Sequence, residues 1–147
     1  MEVTEVKPAI DYYQLAFYVA LGVILAGGLL IYCRRFSVAA RYHLLALALA
    51  IASSLYVVFA FLALDKIWIA IEIGGLLLFV LFIWMAYHYS FWFIALGWLL
   101  HIVWDIGVHP HETAPYIPQW YSWLCVGFDA AVAFYLMVLL VRHPEKS

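Results

Sequence analysis

Charged residues are scarce in this sequence of 147 residues, at 11% against roughly 25% in an ordinary soluble domain. Hydrophobic residues make up 69% of the chain, and its mean hydropathy is +1.04. Since so apolar a chain cannot cover its surface with polar side chains, the composition excludes a soluble globular domain. It predicts a polytopic membrane protein, and we treat residues 1–147 as a single transmembrane domain.

Cysteine and basic residues are also scarce. Cys33 and Cys125 are too few and too far apart for a disulfide framework or a zinc ribbon. With seven Lys and Arg residues and a net charge of −2, the chain has no basic stripe for nucleic acid, which we exclude as a partner. Glu2, Glu5 and Asp11 make the start acidic, so we expect the first transmembrane helix, not a cleavable signal peptide, to direct insertion.

Five apolar stretches come near the ~20 residues that a helix needs to cross a bilayer. They run over residues 13–32, 42–64, 67–87, 91–108 and 120–141. The sequence therefore predicts an all-α fold, a bundle of five transmembrane helices. Residues 109–119 form a loop before the last helix, because Pro110, Pro115 and Pro118 are incompatible with a continuous helix.

The distribution of Lys and Arg predicts the orientation of the bundle. Five basic residues flank the first connection or follow the fifth span: Arg34, Arg35, Arg41, Arg142 and Lys146. With five spans these positions share one side, which the positive-inside rule assigns to the cytoplasm. Only Lys7 and Lys66 fall on the other side. We expect the N-terminus outside and the C-terminus inside.

Ionisable side chains within the spans are the most unusual feature of the sequence. His101, Asp105 and His109 follow one another at steps of four, so they share one broad helix face. Glu72 lies in the third span and Asp129 in the fifth, at similar depths below the predicted outer surface. Ionisable groups at membrane depth cost roughly 2.5–3.5 kcal/mol each. We therefore predict that Glu72, His101, Asp105 and Asp129 converge in one polar site as its candidate catalytic groups.

The first interpretation of this site is a metal centre. Imidazole and carboxylate are ordinary ligands of zinc, iron and manganese, and catalytic zinc sites keep three protein ligands plus water. His101 and Asp105 can bind one ion from one helix face, with His109 or His111 reaching in from the loop and Asp129 completing the shell. A divalent ion such as zinc or iron would also explain how several carboxylates stay charged in a low dielectric.

Two further interpretations stay open. The same groups can perform metal-free acid–base chemistry on a lipid or other hydrophobic molecule, such as isomerisation or cyclisation of an isoprenoid. Trp98, Trp104 and Trp123 would then stabilise a carbocation, although such rings are equally typical of helix packing. Alternatively, the polar groups form a non-enzymatic network or a proton or ion path in a larger membrane complex. Membrane lipids are the expected partners, and the oligomeric state is open.

The C-terminal third of the chain resembles a family of small bacterial integral membrane proteins with no assigned function. The resemblance rests on a Gly-Trp-Leu-Leu-His-x-x-Trp-Asp core at residues 97–105 and on an Asp-Ala element in the last helix. It implies a bacterial plasma-membrane protein and carries over these site positions: His101, Trp104, Asp105, His109 and Asp129. Phe128 stands where the family pattern has cysteine, which disfavours a thiolate ligand. A looser likeness to emopamil-binding sterol isomerases is an analogy only.

Overall fold

The computed structural model describes residues 11–109 and 116–144, which fold into helices joined by turns. The helices are α1 (Tyr12–Cys33), α2 (Val38–Leu62), α3 (Lys66–His88), α4 (Trp92–Val103) and α5 (Gln119–Arg142), and α4 continues as a π-helical turn, Trp104–Val108. The predicted all-α fold is confirmed. The helices α1, α2, α3 and α5 are long and apolar enough to cross a membrane, whereas the apolar helix Trp92–Val108 is shorter. The chain is thus an integral membrane protein by the length and composition of four of its five helices.

Polar side chains mark the starts of three helices. The carboxylate of Asp11 accepts a hydrogen bond from the Gln14 N–H at 2.7 Å, and Ser37 caps α2 in the same way. Asp65 accepts two backbone N–H groups in the first turn of α3. Such caps satisfy N–H groups that have no partner within the helix. Between the end of α2 and Asp65, Leu64 has a positive φ of 56°.

The helices α1 and α5 run in the same direction. Tyr18 packs against Trp120 near the start of both helices, with 6.3 Å between ring centroids. Arg34 and Arg142 line one cavity at the end of both. Two ends of the bundle follow from this arrangement: a basic end, with Arg34, Arg41 and Arg142, and an opposite end, where Asp11 and Asp65 begin helices.

Two glycines allow α1 and α5 to approach one another closely. Gly22 faces the backbone of Leu124 and Phe128, and Gly127 faces the backbone of Val19. A Cβ atom at either glycine would overlap main-chain atoms of the other helix. Small residues at a contact let helix backbones come together in this way, as is common between transmembrane helices. The contact fixes α5, and with it Asp129, against the rest of the bundle.

The interior of the bundle positions α4 against α2. Trp98 is completely buried, and its indole N–H donates to the carbonyl oxygen of Leu45 at 3.2 Å. Phe79 of α3 packs beside it in the same apolar core. Because His101 follows Trp98 by three residues, roughly one helical turn, its side chain enters the same interior.

Candidate functional site

His101, Asp105 and Asp129 form one cluster in the interior, which we call the three-residue centre. The Nδ1 atom of His101 lies 2.7 Å from Oδ2 of Asp129 and 3.5 Å from Oδ1 of Asp105. The exposed fractions of the three residues are 0%, 1% and 0%, in the order His101, Asp129, Asp105. One ligand atom from each lies within 4.8 Å of the other two. This buried group is able to hold a metal ion.

Helix geometry brings these side chains together. His101 and Asp105 are four residues apart on α4 and its π-helical extension, and they contact each other as the spacing predicts. The widened turn begins at Trp104 and carries Asp105, which is completely buried. Such turns are frequent at functional sites. Asp129 approaches from α5, so the centre joins two helices that are separated in sequence by a loop.

Two ligand-capable atoms of the centre have no hydrogen-bond partner within the described part of the chain. They are His101 Nε2 and Asp105 Oδ2. When His101 Nδ1 donates to Asp129, the neutral imidazole keeps a lone pair on Nε2. A buried polar atom without a partner costs about 1–3 kcal/mol. His101 Nδ1, not Nε2, faces both carboxylates, so a cation held between the three side chains would bind Nδ1 in place of the hydrogen bond to Asp129.

The centre has two carboxylates to balance. They lie beside a single imidazole. Among the described residues, the close pairs of oppositely chargeable groups are His101–Asp105, His101–Asp129 and His109–Glu72, so no Lys or Arg neutralises the centre. Buried charges are stable only when they are paired or bound to metal. Protons or a cation must therefore balance the two carboxylates.

Glu72 belongs to a second cluster, the Glu72 cluster. Its Oε1 atom is hydrogen-bonded to Nε2 of His109 and accepts the hydroxyl of Tyr116 at 2.9 Å. Its Oε2 atom accepts the indole N–H of Trp104 at 3.2 Å. Burial raises the pKa of the Tyr116 phenol above its usual value, and the hydrogen bond to Glu72 acts in the same direction. Tyr116 therefore stays a neutral donor at physiological pH.

Tyr56 of α2 connects the two clusters. Its hydroxyl donates to Oδ1 of Asp105 at 2.5 Å, and its ring stacks on His109 with centroids 4.4 Å apart. The sequence interpretation missed this residue. A signal was present, because Tyr56 lies well inside the second predicted span, whereas transmembrane tyrosines concentrate at the interfaces.

The structure thus divides the predicted site residues into two adjacent groups. His101, Asp105 and Asp129 lie together, whereas Glu72 and His109 pair with each other. Of the predicted metal ligands, His109 is not part of the three-residue centre; its Nε2 is hydrogen-bonded to Glu72, and its Nδ1 is buried without a partner among the described residues. His111 lies outside the described residues. Among the tryptophans, Trp98 and Trp104 donate to Leu45 and Glu72, and Trp123 lines a cavity.

Two openings reach the centre from different directions. A cavity of about 250 Å³ has both polar and apolar walls, lined by Asp105, His109, Gln119 and Ser122 and by Ile106, Ile117 and Trp123. We call it the polar cavity after the first four. A largely apolar groove of about 340 Å³ lies between α1, α2 and α5, and its walls include Ala48, Ala52, Leu55, Leu124, Cys125 and Asp129. One carboxylate of the centre faces each opening.

Replacing Tyr56 tests the contact between α2 and the centre. We expect Tyr56→Phe to lower the free energy of unfolding by about 1–3 kcal/mol, because Asp105 loses its hydroxyl donor in a buried position. Tyr42→Phe is the matched control. The Tyr42 hydroxyl is buried without a partner among the described residues, so its removal is expected to be neutral or stabilising. Thermal unfolding in mild detergent measures both, and equal losses would contradict a specific role for Tyr56.

The fold and the site together define an all-helical membrane protein with a buried centre of one histidine and two carboxylates. Compared with known proteins, the chain matches no protein-family model, no curated protein and no solved structure. Only the chemistry of the site itself indicates the function.

Proposed function

We propose that this protein is a membrane-embedded enzyme that acts on a hydrophobic substrate with a divalent cation held by His101, Asp105 and Asp129. The observation that carries the proposal is the position of the three-residue centre. It is almost completely buried, yet a polar cavity reaches Asp105 and an apolar groove reaches Asp129. Buried ionisable groups at membrane depth are rare and mark functional sites.

A bound cation would account for the charge of the centre. A divalent ion balances both carboxylates while leaving His101 neutral. When bound, it supplies Lewis acidity and activates a water molecule. Tyr56 orients Asp105 through its hydrogen bond, the type of outer-shell contact that fixes a ligand in position. Zinc, iron and manganese all accept this nitrogen and oxygen donor set.

The groove indicates the class of substrate. Its walls come from three helices that are long and apolar enough to span a membrane, so a hydrocarbon chain can enter from the bilayer. The polar cavity accommodates water or the polar group of the same molecule. A membrane lipid or an isoprenoid has both parts. The location of the site in the outer leaflet, and of the protein in a bacterial plasma membrane, stay predictions from the Lys/Arg distribution and the resemblance.

A second candidate function is metal-free isomerisation or cyclisation of such a substrate. Aromatic rings surround the imidazole of His101: the ring centroid of Phe79 lies at 4.9 Å, that of Tyr56 at 5.7 Å and that of Trp98 at 6.3 Å. Such rings stabilise a cation through their faces. The hydrogen-bonded His101–Asp129 pair can carry the proton. Metal dependence of the activity separates the two candidates.

Lipid analysis of the protein's own host tests the enzymatic proposal. The gene is deleted and restored as the wild type, as Asp129→Asn or as Asp65→Asn, and the extracted lipids are compared by mass spectrometry. We expect at least one lipid species to accumulate in the deletion strain and in Asp129→Asn, and to return to its normal level with the other two genes. Identical lipids in all four strains, with equal amounts of protein in the membranes of the three restored strains, would contradict an enzyme that acts on lipid.

A further inference from the structure

A third opening lies at the basic end of the bundle, far along the helices from the three-residue centre. It is a small cavity of about 100 Å³ whose walls include Arg34, Arg41, Arg142, His143 and Tyr135. We call it the basic cavity. It joins the end of α1, the start of α2 and the end of α5.

The cations of this cavity are not neutralised by the carboxylates of the described residues. Of those five carboxylates, Asp11 and Asp65 cap helices at the opposite end. The other three belong to the two buried clusters: Glu72, Asp105 and Asp129. Three guanidinium groups around one small cavity thus attract an anion.

Arg41 is fixed in position before any ligand binds. Its Nε atom donates to the carbonyl oxygen of Phe36 at 3.0 Å, and its two terminal nitrogens donate to Arg34 O at 3.1 Å and to the Tyr135 hydroxyl at 3.2 Å. Arg34 and Arg142 are exposed beside it. Preorganised guanidinium groups recognise phosphate through paired N–H donors.

A different groove, which we call the α5 groove, continues from the basic cavity along α5. It has a volume of about 230 Å³ and is lined by Met137, Val138, Val141 and Arg142. Val138 and Arg142 line both openings. The α5 groove suits an acyl chain, and the arginines at its end suit a phosphate. A phospholipid has both groups in one molecule.

We propose that the basic cavity binds the phosphate of an anionic phospholipid, with one acyl chain along Met137, Val138 and Val141. Basic pockets between transmembrane helices bind anionic lipid head groups in this way. The site is independent of the proposed enzymatic centre, since it shares no residue with it. A free phosphate ion offers the same chemistry to the arginines but makes no use of the groove.

Native mass spectrometry of the purified, delipidated full chain in mild detergent tests the site. The probes are phosphatidylglycerol, phosphatidylcholine with the same chains, and inorganic phosphate. We expect one phosphatidylglycerol per chain, bound about tenfold more tightly than phosphatidylcholine. Inorganic phosphate should not compete at concentrations up to a hundred times that of the lipid.

Matched arginine variants locate the site. Arg142→Gln should weaken phosphatidylglycerol binding about fivefold, as expected for one basic residue at a lipid surface. Arg35→Gln is the control, since Arg35 lies on the same end but rests over the Tyr32 ring at 6.0 Å and does not line the cavity. Val138→Trp should also weaken phosphatidylglycerol binding, because the indole ring would fill the α5 groove. Equal affinity for both lipids, equal loss in both arginine variants, or displacement by inorganic phosphate would each overturn the proposal.

Discussion

We expect Asp105→Asn and Asp129→Asn each to weaken Zn²⁺ binding by the purified protein by roughly a hundredfold or more. Each change removes one of the two negative charges that a cation would meet in the three-residue centre, without changing the size of the side chain. Substitution of an outer-shell partner of a metal ligand already costs about 10–100-fold in affinity, so loss of a ligating carboxylate costs more. Competition with a chromogenic chelator in mild detergent measures the affinity.

The same Asp-to-Asn change at another position provides the control. Asp65 caps α3 at the opposite end from the arginines, and asparagine caps helices equally well. Asp65→Asn should therefore bind Zn²⁺ as the wild type does. If all three variants bind alike, the three-residue centre is not the metal site. Thermal unfolding of each variant shows whether its fold is retained.

We expect a large loss of enzymatic turnover when the apolar groove between α1, α2 and α5 is filled. Ala52 lies on α2 in the wall of this groove, opposite residues of α5 that include Asp129. Ala52→Phe should reduce turnover of the lipid identified in the host by roughly tenfold or more, since misplacement of a substrate by about 1 Å can cost 10²-fold. The Zn²⁺ affinity should stay unchanged, because Ala52 is no part of the three-residue centre. Conversion of that lipid in proteoliposomes measures the turnover.

A second alanine-to-phenylalanine change controls for the added ring. Ala130 follows Asp129 in the chain, is exposed and does not line the groove. Ala130→Phe should leave turnover close to that of the wild type. Equal activity of Ala52→Phe and Ala130→Phe would show that substrate does not enter between α1, α2 and α5.

Much of the fold follows from the sequence because a bilayer leaves few choices. Every backbone polar group must be satisfied within the lipid, so long apolar segments become helices. The helices therefore lie within four residues of the predicted spans. The predicted fourth span has the expected bounds but not one continuous α-helix. A twelve-residue α-helix widens at Trp104 into a five-residue π-helical turn. Apolar periodicity does not reveal the change, because a single widened turn is too short to show a period of its own.

Helix contacts were harder to predict than helices. The pairs Gly27-Gly28 and Gly74-Gly75 predict close helix packing, yet a Cβ atom at Gly27, Gly28 or Gly74 would meet open space. Of these four glycines, Gly75 alone lies against a neighbour, the ring of Trp104. The close contact of α1 with α5 instead uses Gly22 and Gly127. A signal was present in α1, where Gly22 and the buried Ala26 have the small-xxx-small spacing of packed transmembrane helices. Composition identifies small residues, but only the face on which they lie decides what they contact.

The site was predicted in part for a similar reason. His101 and Asp105 share a helix face at a spacing of four, so their contact follows from local geometry. Asp129 joins them because α4 and α5 pack together, which similar depth alone does not ensure. Depth likewise predicts Glu72 in the same group, but its rotation about the α3 axis directs it to His109. The sequence predicts the depth of a transmembrane residue in the bilayer more readily than the direction in which its side chain points around the helix axis.

The metal content of the wild-type protein tests the central claim most directly. The full chain is extracted in mild detergent, incubated in turn with Zn²⁺, Mn²⁺ and Fe²⁺, freed of unbound ions and analysed for metal and protein. The three-residue centre predicts one tightly bound divalent ion per chain, with nitrogen and oxygen donors in its X-ray absorption spectrum. Folded protein that retains none of the three ions would contradict the metal centre.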